Sequence, residues 1–303
     1  LFKTYLGSII DDKVWKGLAE GLNYGFGFMV IFMLHFTVAT KQPAMTAARF
    51  AEAVEKNPQG KTLNMKLAQL LVDVFRSQSV AVLGNVVVAM GLAALIAFVY
   101  QHQTGEPLMN SEKIAYQLHR IDPLDGSLWF AAIAGVWLFC SGIISGYFDN
   151  RSNYLNMRMR LAQHPLLKKL MSEKSRVKFA NYMHENYGSL IGNFCFGMLL
   201  GLTGLVGYLT HLPLDIRHVA FSSANVGYIA VSGQFTYSLL LQCIGFVLLI
   251  GLVNLIVSFS LTLWVALRSL NAEIDSWWAI WHEVCQIVKK RPLSLFFPVQ
   301  LDK

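Results

Sequence analysis

An all-α, polytopic integral membrane bundle is the fold class that this chain of 303 residues predicts. Three observations carry that reading. Residues 219–267 hold 49 consecutive positions without Asp, Glu, Lys or Arg, and four further uncharged runs precede them: Gly21–Thr40, Ser77–Gly105, Gly126–Phe148 and Asn186–Leu214. About 20 apolar residues, each rising ~1.5 Å, cross a hydrocarbon core of ~30 Å. Composition agrees, with 54% hydrophobic and 14% charged residues, whereas ordinary soluble domains carry about 25% charged. The runs are also apolar on every face rather than alternating. That selects helices over barrel strands, the two forms that satisfy a backbone in lipid.

In chain order the expected spans are about 21–40, 77–100, 126–148, 188–212 and 238–267. The stretch 215–233 is shorter and more polar, and it reads as a re-entrant segment or half-helix. Basic residues set the threading. With five spans and an external N-terminus, 19 of the 25 Lys and Arg fall on the cytoplasmic side; the reverse threading inverts that ratio. A sixth full span would carry the basic tail outside, so charge parity argues against it. The same distribution accounts for the net charge of +7 without nucleic acid. The location this implies is the inner, cytoplasmic membrane, multi-pass, with the C-terminus in the cytoplasm. The chain is expected to be one transmembrane helical domain over 1–303. Because it starts at Leu1 without a signal peptide, it is also expected to be the C-terminal part of a longer protein.

The cytoplasmic connections read as ordered helices. Pro43 sits at a helix start, and the Ala-rich stretch to Lys56 ends at the Asn57-Pro58-Gln59-Gly60 break. Leu63, Leu67, Leu70, Leu71, Val74 and Phe75 then form one apolar face leading directly into the second span. The next connection reads Asn150–Gln163, a break at His164-Pro165, Leu166–Met171 and Glu173–Glu185. Near the C-terminus Trp277, Trp281, Val284, Cys285 and Val288 share a face, followed by Lys289, Lys290 and Arg291. Tryptophan beside cations suits an interfacial helix on an anionic leaflet. The same pattern equally fits packing against other cytoplasmic helices.

Small residues mark where helices meet. Gly197, Gly201, Gly204 and Gly207 fall on one face of the fourth span, and Gly17, Gly21 and Gly25 approach the first. Such faces let backbones come close where lipid removes the hydrophobic drive, so they indicate packing rather than transport.

The most unusual stretch runs from Leu212 to Tyr228: a proline, three ionisable residues, then Ser-Ser-Ala-Asn. Polar backbone at membrane depth is tolerated where protein or a water-filled cavity satisfies it. If the chain has a binding site, its residues are Asp215, Arg217, His218, Ser222, Ser223 and Asn225; the duller reading is a helix capping the bundle. His211, Asp215 and His218 have helical ligand spacing, but Pro213 interrupts that helix, and no metal is expected. Cys140, Cys195, Cys243 and Cys285 are isolated, so neither a disulfide framework nor a zinc site is indicated. His35 reads as an interfacial histidine. No cofactor is expected, and no Asp or Glu lies within a span to relay protons.

The run Leu212–Tyr228, with the Gly-rich span before it, and the run from Ser141 to Arg151 resemble a bacterial family of multi-span proteins called site-specific recombinases. The likeness covers about Gly17 to Arg268 and corresponds to that family's C-terminal membrane half. Its most specific part is Pro213-Leu214-Asp215-Ile216-Arg217-His218. The resemblance implies DNA recombination. Strand exchange needs a Tyr or Ser nucleophile among Arg and His residues that neutralise phosphate. None of the eight histidines has Arg three residues later, and no segment is long enough for a soluble catalytic domain.

Three function classes follow. The first is a membrane scaffold or regulatory component working through its cytoplasmic helices, with the bilayer, anionic lipid and another membrane protein as partners. The second is a transporter or channel-like protein with its site at 215–225. The third is DNA recombination; from this chain alone, nucleic acid is not an expected partner and no catalytic residue is expected.

Overall fold

The computed structural model describes residues 12–34, 42–56, 61–233 and 236–295. Among them every regular element is helical, and the order is α1 (Lys13–Met33), α2 (Gln42–Lys56), α3 (Lys61–Thr104), α4 (Ser111–Ile121), α5 (Ser127–Tyr154), α6 (Met157–Gln163), α7 (Pro165–Leu170), α8 (Glu173–Thr210), α9 (Val219–Ala230), α10 (Tyr237–Ser269) and α11 (Trp277–Lys290). Short 3-10 turns cover Pro123–Asp125 and Pro292–Leu295. Local chemistry sets many of the boundaries. Asp12 accepts from the N–H groups of Val14 and Trp15 at 2.9 Å, and Asn110, Ser172, Thr236 and Ser276 cap α4, α8, α10 and α11 in the same way. Pro165 opens α7, and His211 closes α8 in the left-handed region at φ 55°.

Among the described residues four helices are long and apolar enough to cross a membrane, Leu63–Thr104 within α3, then α5, α8 and α10; α1 is not one of them. Only 17% of the apolar window in α3 and 28% of that in α10 is buried inside the protein. Val80, Leu83, Val87, Leu92, Leu95 and Phe98 are among the exposed side chains of α3. Apolar surface of that extent is compatible with a membrane protein. Of the expected first span, α1 supplies the part up to Met33; residues 35–41, including His35, lie outside the described residues. The connections expected to be helical are helical in α2, α6, α7 and α11, but the expected piece 150–163 is split, its first residues continuing α5, and Glu173–Glu185 is the start of α8 rather than a separate helix. The apolar face from Leu63 runs unbroken into the second span as one helix of 44 residues.

The chain packs as two compact units, one of residues 1–44 with 137–216 and one of 45–136 with 217–303; the division falls within α5, between Val136 and Trp137. In the first unit α1 lies antiparallel to α8. A Cβ built on Gly201 would lie 2.5 Å from Gly21 Cα, and one on Gly197 would meet the backbone of Tyr24 and Gly25. Gly17, Gly21 and Gly25 in turn receive Leu205, Leu202 and Phe194. On another side of α8, the later part of α5 packs through small and polar groups. Gly192 faces Ser145 and the Ser141 carbonyl, the Gly188 N–H donates to Asp149 at 3.1 Å, and Trp137 Nε1 donates to Thr203 Oγ1 at 2.8 Å.

The expected four-glycine packing face requires correction. Gly197 and Gly201 make the interhelical contact, but a Cβ on Gly204 would meet nothing within 4 Å, and Gly207 abuts the carbonyls of Leu212 and Leu214 in its own chain. The contact follows the i, i+4 ridge of α8 from Gly197 through Gly201 to Leu205, because α1 offers its glycines at the same spacing. Gly204 lies beside that track.

In the second unit one core joins α2, the start of α3, the end of α10 and α11 through Phe50, Leu67, Val72, Leu263 and Ile280. A second core joins α3, α4, the first turns of α5, α9 and α10 through Val86, Ile121, Ala131, Val226 and Val247. The face expected for the C-terminal helix is divided: Val284 is buried in the first of these cores and Val288 packs against it, whereas Trp277, Trp281 and Cys285 are exposed; Ile280 joins the buried side and Trp278 the exposed one. A helix lying on a core buries one stripe and leaves the opposite one outside.

Gly201→Leu forces apart two backbones in contact and lowers stability by about 1–3 kcal/mol, the usual cost of overpacking. Gly204→Leu stays within about 0.5 kcal/mol, as surface changes do. Thermal unfolding of both variants in detergent checks the difference. Equal losses, or none in either, would contradict the ridge described above.

Candidate functional site: a buried carboxamide node

The site is built around the N-terminus of α9. The segment before it is extended, and His218 at the N-cap makes no side-chain capping bond. The first free N–H, that of Val219, instead donates to Asn254 Oδ1 at 3.2 Å. Asn254 Nδ2 donates to the Arg217 carbonyl at 3.0 Å and to the Ala131 carbonyl at 2.7 Å. One side chain, 3% exposed and midway along α10, thus joins the first turns of α5, the chain entering α9, and α9 itself. All three bonds fit a single carboxamide with two donors and an accepting oxygen.

Glycines let these helices come near enough. A Cβ on Gly135 would lie 2.8 Å from Val257 Cβ and 3.0 Å from the Asn254 carbonyl, so only glycine allows α5 to approach α10 there. Gly251 forms the notch that Val82 and Val219 fill, and Gly227 rests on the Met90 carbonyl.

Arg217 is 8% exposed. Its backbone N–H donates to the Phe130 carbonyl at 3.2 Å, and its guanidinium lies 5.0 Å over the Phe130 ring. Nε donates to the Arg120 carbonyl at 2.7 Å, at the C-terminus of α4. A helix C-terminus carries partial negative charge and exposed carbonyls, so a cation is well placed there. Ser222 and Ser223 are buried against protein, with Ser223 Oγ donating to the Val219 carbonyl at 2.6 Å. Asn225 Nδ2 donates to Gln117 Oε1 of α4 at 3.0 Å. Of the six residues that the sequence singles out, the structure gathers Arg217, His218, Ser222, Ser223 and Asn225 in the second unit. Asp215 belongs to the first, where Oδ1 accepts from the Ile216 N–H at 2.7 Å.

Sequence reasoning missed the residue at the centre. Asn254 is the one carboxamide between Gln242 and Arg268, and that isolation within an apolar run was the available signal. Gln117 and the carbonyls of Arg120 and Phe130 carried no comparable signal. Chemically the node is a set of backbone-directed donors and acceptors that fixes chain geometry. Among the described residues no three His, Cys, Asp or Glu side chains are grouped to hold a metal ion. A separate cavity of about 150 Å³ between α4 and α10 is lined in part by His119, Asp122, Gln242 and Phe246, and by none of the residues around Asn254.

Comparison with known proteins gives one match. The family model described as site-specific recombinase covers residues 1–298. The chain belongs to this family. No curated protein and no solved structure matches it. Of the motif that carries the resemblance, Arg217 and His218 lead into α9.

His218 is 6% exposed, with its ring 5.8 Å from that of Phe221.

Asn254→Leu removes the partner of Val219 N–H and of two carbonyls. A loss on the order of 3 kcal/mol is expected, because stranded buried groups cost more than the bonds themselves. Denaturation in mild detergent measures it. A neutral outcome would show that water substitutes for the carboxamide.

Proposed function

We propose that this member of the site-specific recombinase family is an inner-membrane scaffold or regulatory component, with its C-terminus in the cytoplasm. The observation that carries this reading is the closed state of the 217–225 element. Arg217, His218, Ser222 and Ser223 are all buried in the second unit, with Arg217 Nε bonded to the Arg120 carbonyl and Ser223 Oγ to the Val219 carbonyl. A transport site at this depth needs a polar, solvent-connected cavity.

The working surface in this reading is α11. Ile280 and Val284 anchor it, Trp278 and Trp281 are 81% and 60% exposed, and Lys289, Lys290 and Arg291 follow at its end. Indole rings favour the headgroup level, and each cation near an anionic leaflet adds about 1 kcal/mol of attraction. The partner of this surface is anionic lipid at the cytoplasmic face. The uneven distribution of basic residues supports both the orientation and the inner membrane.

A second reading, a transporter or channel-like protein, draws on the depth of α9. Its 12 residues extend about 18 Å, short of the ~30 Å hydrocarbon core. Val219 meets Gly251, which also meets Val82, and Gly227 meets Met90, so α9 lies alongside the exposed apolar stretch of α3. That placement supports a re-entrant half-helix, with Arg217, His218, Ser222, Ser223 and Asn225 as its polar groups and Asp215 at its approach. DNA recombination, which the family's description implies, is the third reading; none of the eight histidines is followed by Arg three residues later.

Reconstitution separates these readings. In vesicles containing brominated phosphatidylglycerol, tryptophan emission should be quenched more strongly than with brominated phosphatidylcholine. Replacing Lys289, Lys290 and Arg291 by Gln should remove the difference, and Trp278→Phe with Trp281→Phe should reduce it. Ion flux in the same vesicles should equal that of protein-free controls. Lipid-independent quenching together with protein-dependent flux would favour the transporter.

A further inference from the structure

A groove of about 600 Å³ runs along the side of α1, lined by Ala19, Leu22, Asn23, Phe26, Gly27, Val30 and Ile31. Ala19, Asn23 and Gly27 lie four residues apart along it. Leu22, Phe26 and Val30 flank them at 44%, 52% and 50% exposure. A Cβ on Gly27 would meet nothing within 4 Å, so the space beside it is open. The opposite side of α1 is already occupied, since Gly21 and Gly25 pack on α8.

Asn23 is the one polar side chain of the seven lining the groove. It makes no hydrogen bond among the described residues. Its depth follows from its neighbours. Gly21 meets Met198 and Leu202, and Gly25 meets Phe194, so Asn23 is level with the middle of the uncharged run Asn186–Leu214. A carboxamide facing hydrocarbon at that depth has no partner and is costly.

We propose that this groove is the contact surface for a second copy of the chain, with α1 packed parallel to its counterpart about a two-fold axis through Asn23. A carboxamide both donates and accepts, so two copies related by a two-fold each satisfy the other's amide with two hydrogen bonds. Small residues at every fourth position let the backbones approach, and Leu22, Phe26 and Val30 fill the flanks. The proposal is independent of the scaffold reading, since an assembly of either functional kind could use it.

Disulfide trapping in the full chain in native membranes tests it, with Cys140, Cys195, Cys243 and Cys285 replaced by Ala. Asn23→Cys and Gly27→Cys face their own counterparts across a two-fold and should give dimers under mild oxidant, because the bond needs Cα atoms within about 7 Å. Leu95→Cys, on the exposed face of α3, should not. In detergent, Asn23→Leu should weaken dimerisation about tenfold, the worth of one or two interhelical hydrogen bonds, and Asn23→Gln should restore much of it. Three results would overturn the proposal: monomers from both α1 cysteine variants, dimers from Leu95→Cys in equal yield, or a dimer affinity unchanged by Asn23→Leu. Coverage of the groove by lipid or by another helix would give the first of these.

Discussion

The second unit depends on one requirement: every polar backbone group at the start of α9 must find a partner away from water. Asn254 meets that requirement for the Val219 N–H and the Arg217 carbonyl, and it ties both to Ala131. Around this node the chain can leave an extended segment, begin a helix within an apolar surround and still satisfy its backbone. An apolar residue at 254 would leave that helix start without the same means, since Pro213 and the β-branched residues Ile216 and Val219 offer no side-chain acceptors. Arg217 solves the complementary problem at the C-terminus of α4, where a free carbonyl needs a donor. Two half-length helices, α4 and α9, are thereby tied to each other's surroundings and to α10.

Glycine serves two distinct purposes here. In the first unit, repeating glycines on α1 and α8 form a ridge along which two helices run in near backbone contact. In the second, Gly135, Gly227 and Gly251 are single notches, each accommodating one neighbouring group. The difference explains why a glycine pattern read from sequence locates the α1–α8 contact but not the node. Spacing reveals a ridge, whereas an isolated notch has no spacing. It also explains Gly204, which matches the pattern by angle around the helix but is bypassed once α1 selects the four-residue track.

The functional reading rests on the same physics. Polar residues in an apolar segment are candidates for a site because their cost must be offset by something. In the 217–225 element the offset is internal: the Ser223 hydroxyl bonds within its own helix, Asn225 bonds Gln117, and Arg217 bonds a carbonyl. Among the groups directed outwards are the tryptophans of α11.

The sequence by itself determined the helical class, the long apolar spans, the continuous helix from Lys61 to Thr104, the breaks at His164-Pro165 and before Glu173, and the polar interruption after Leu212. These follow from local rules, namely hydropathy over about 20 residues, proline and capping side chains, which act within a few turns of chain. Only tertiary structure decided that Asn254 closes the polar interruption, that Gly201 is packed and Gly204 open, and that Trp278 and Trp281 face outwards while Val284 does not. Each of these depends on which distant residue arrives opposite. Ala131 and Asn254 are 123 positions apart, and nothing in the periodicity of either helix specifies their meeting. Hydrogen bonds of that kind are set by the crossing of helices, so they became visible only when the helices were in place.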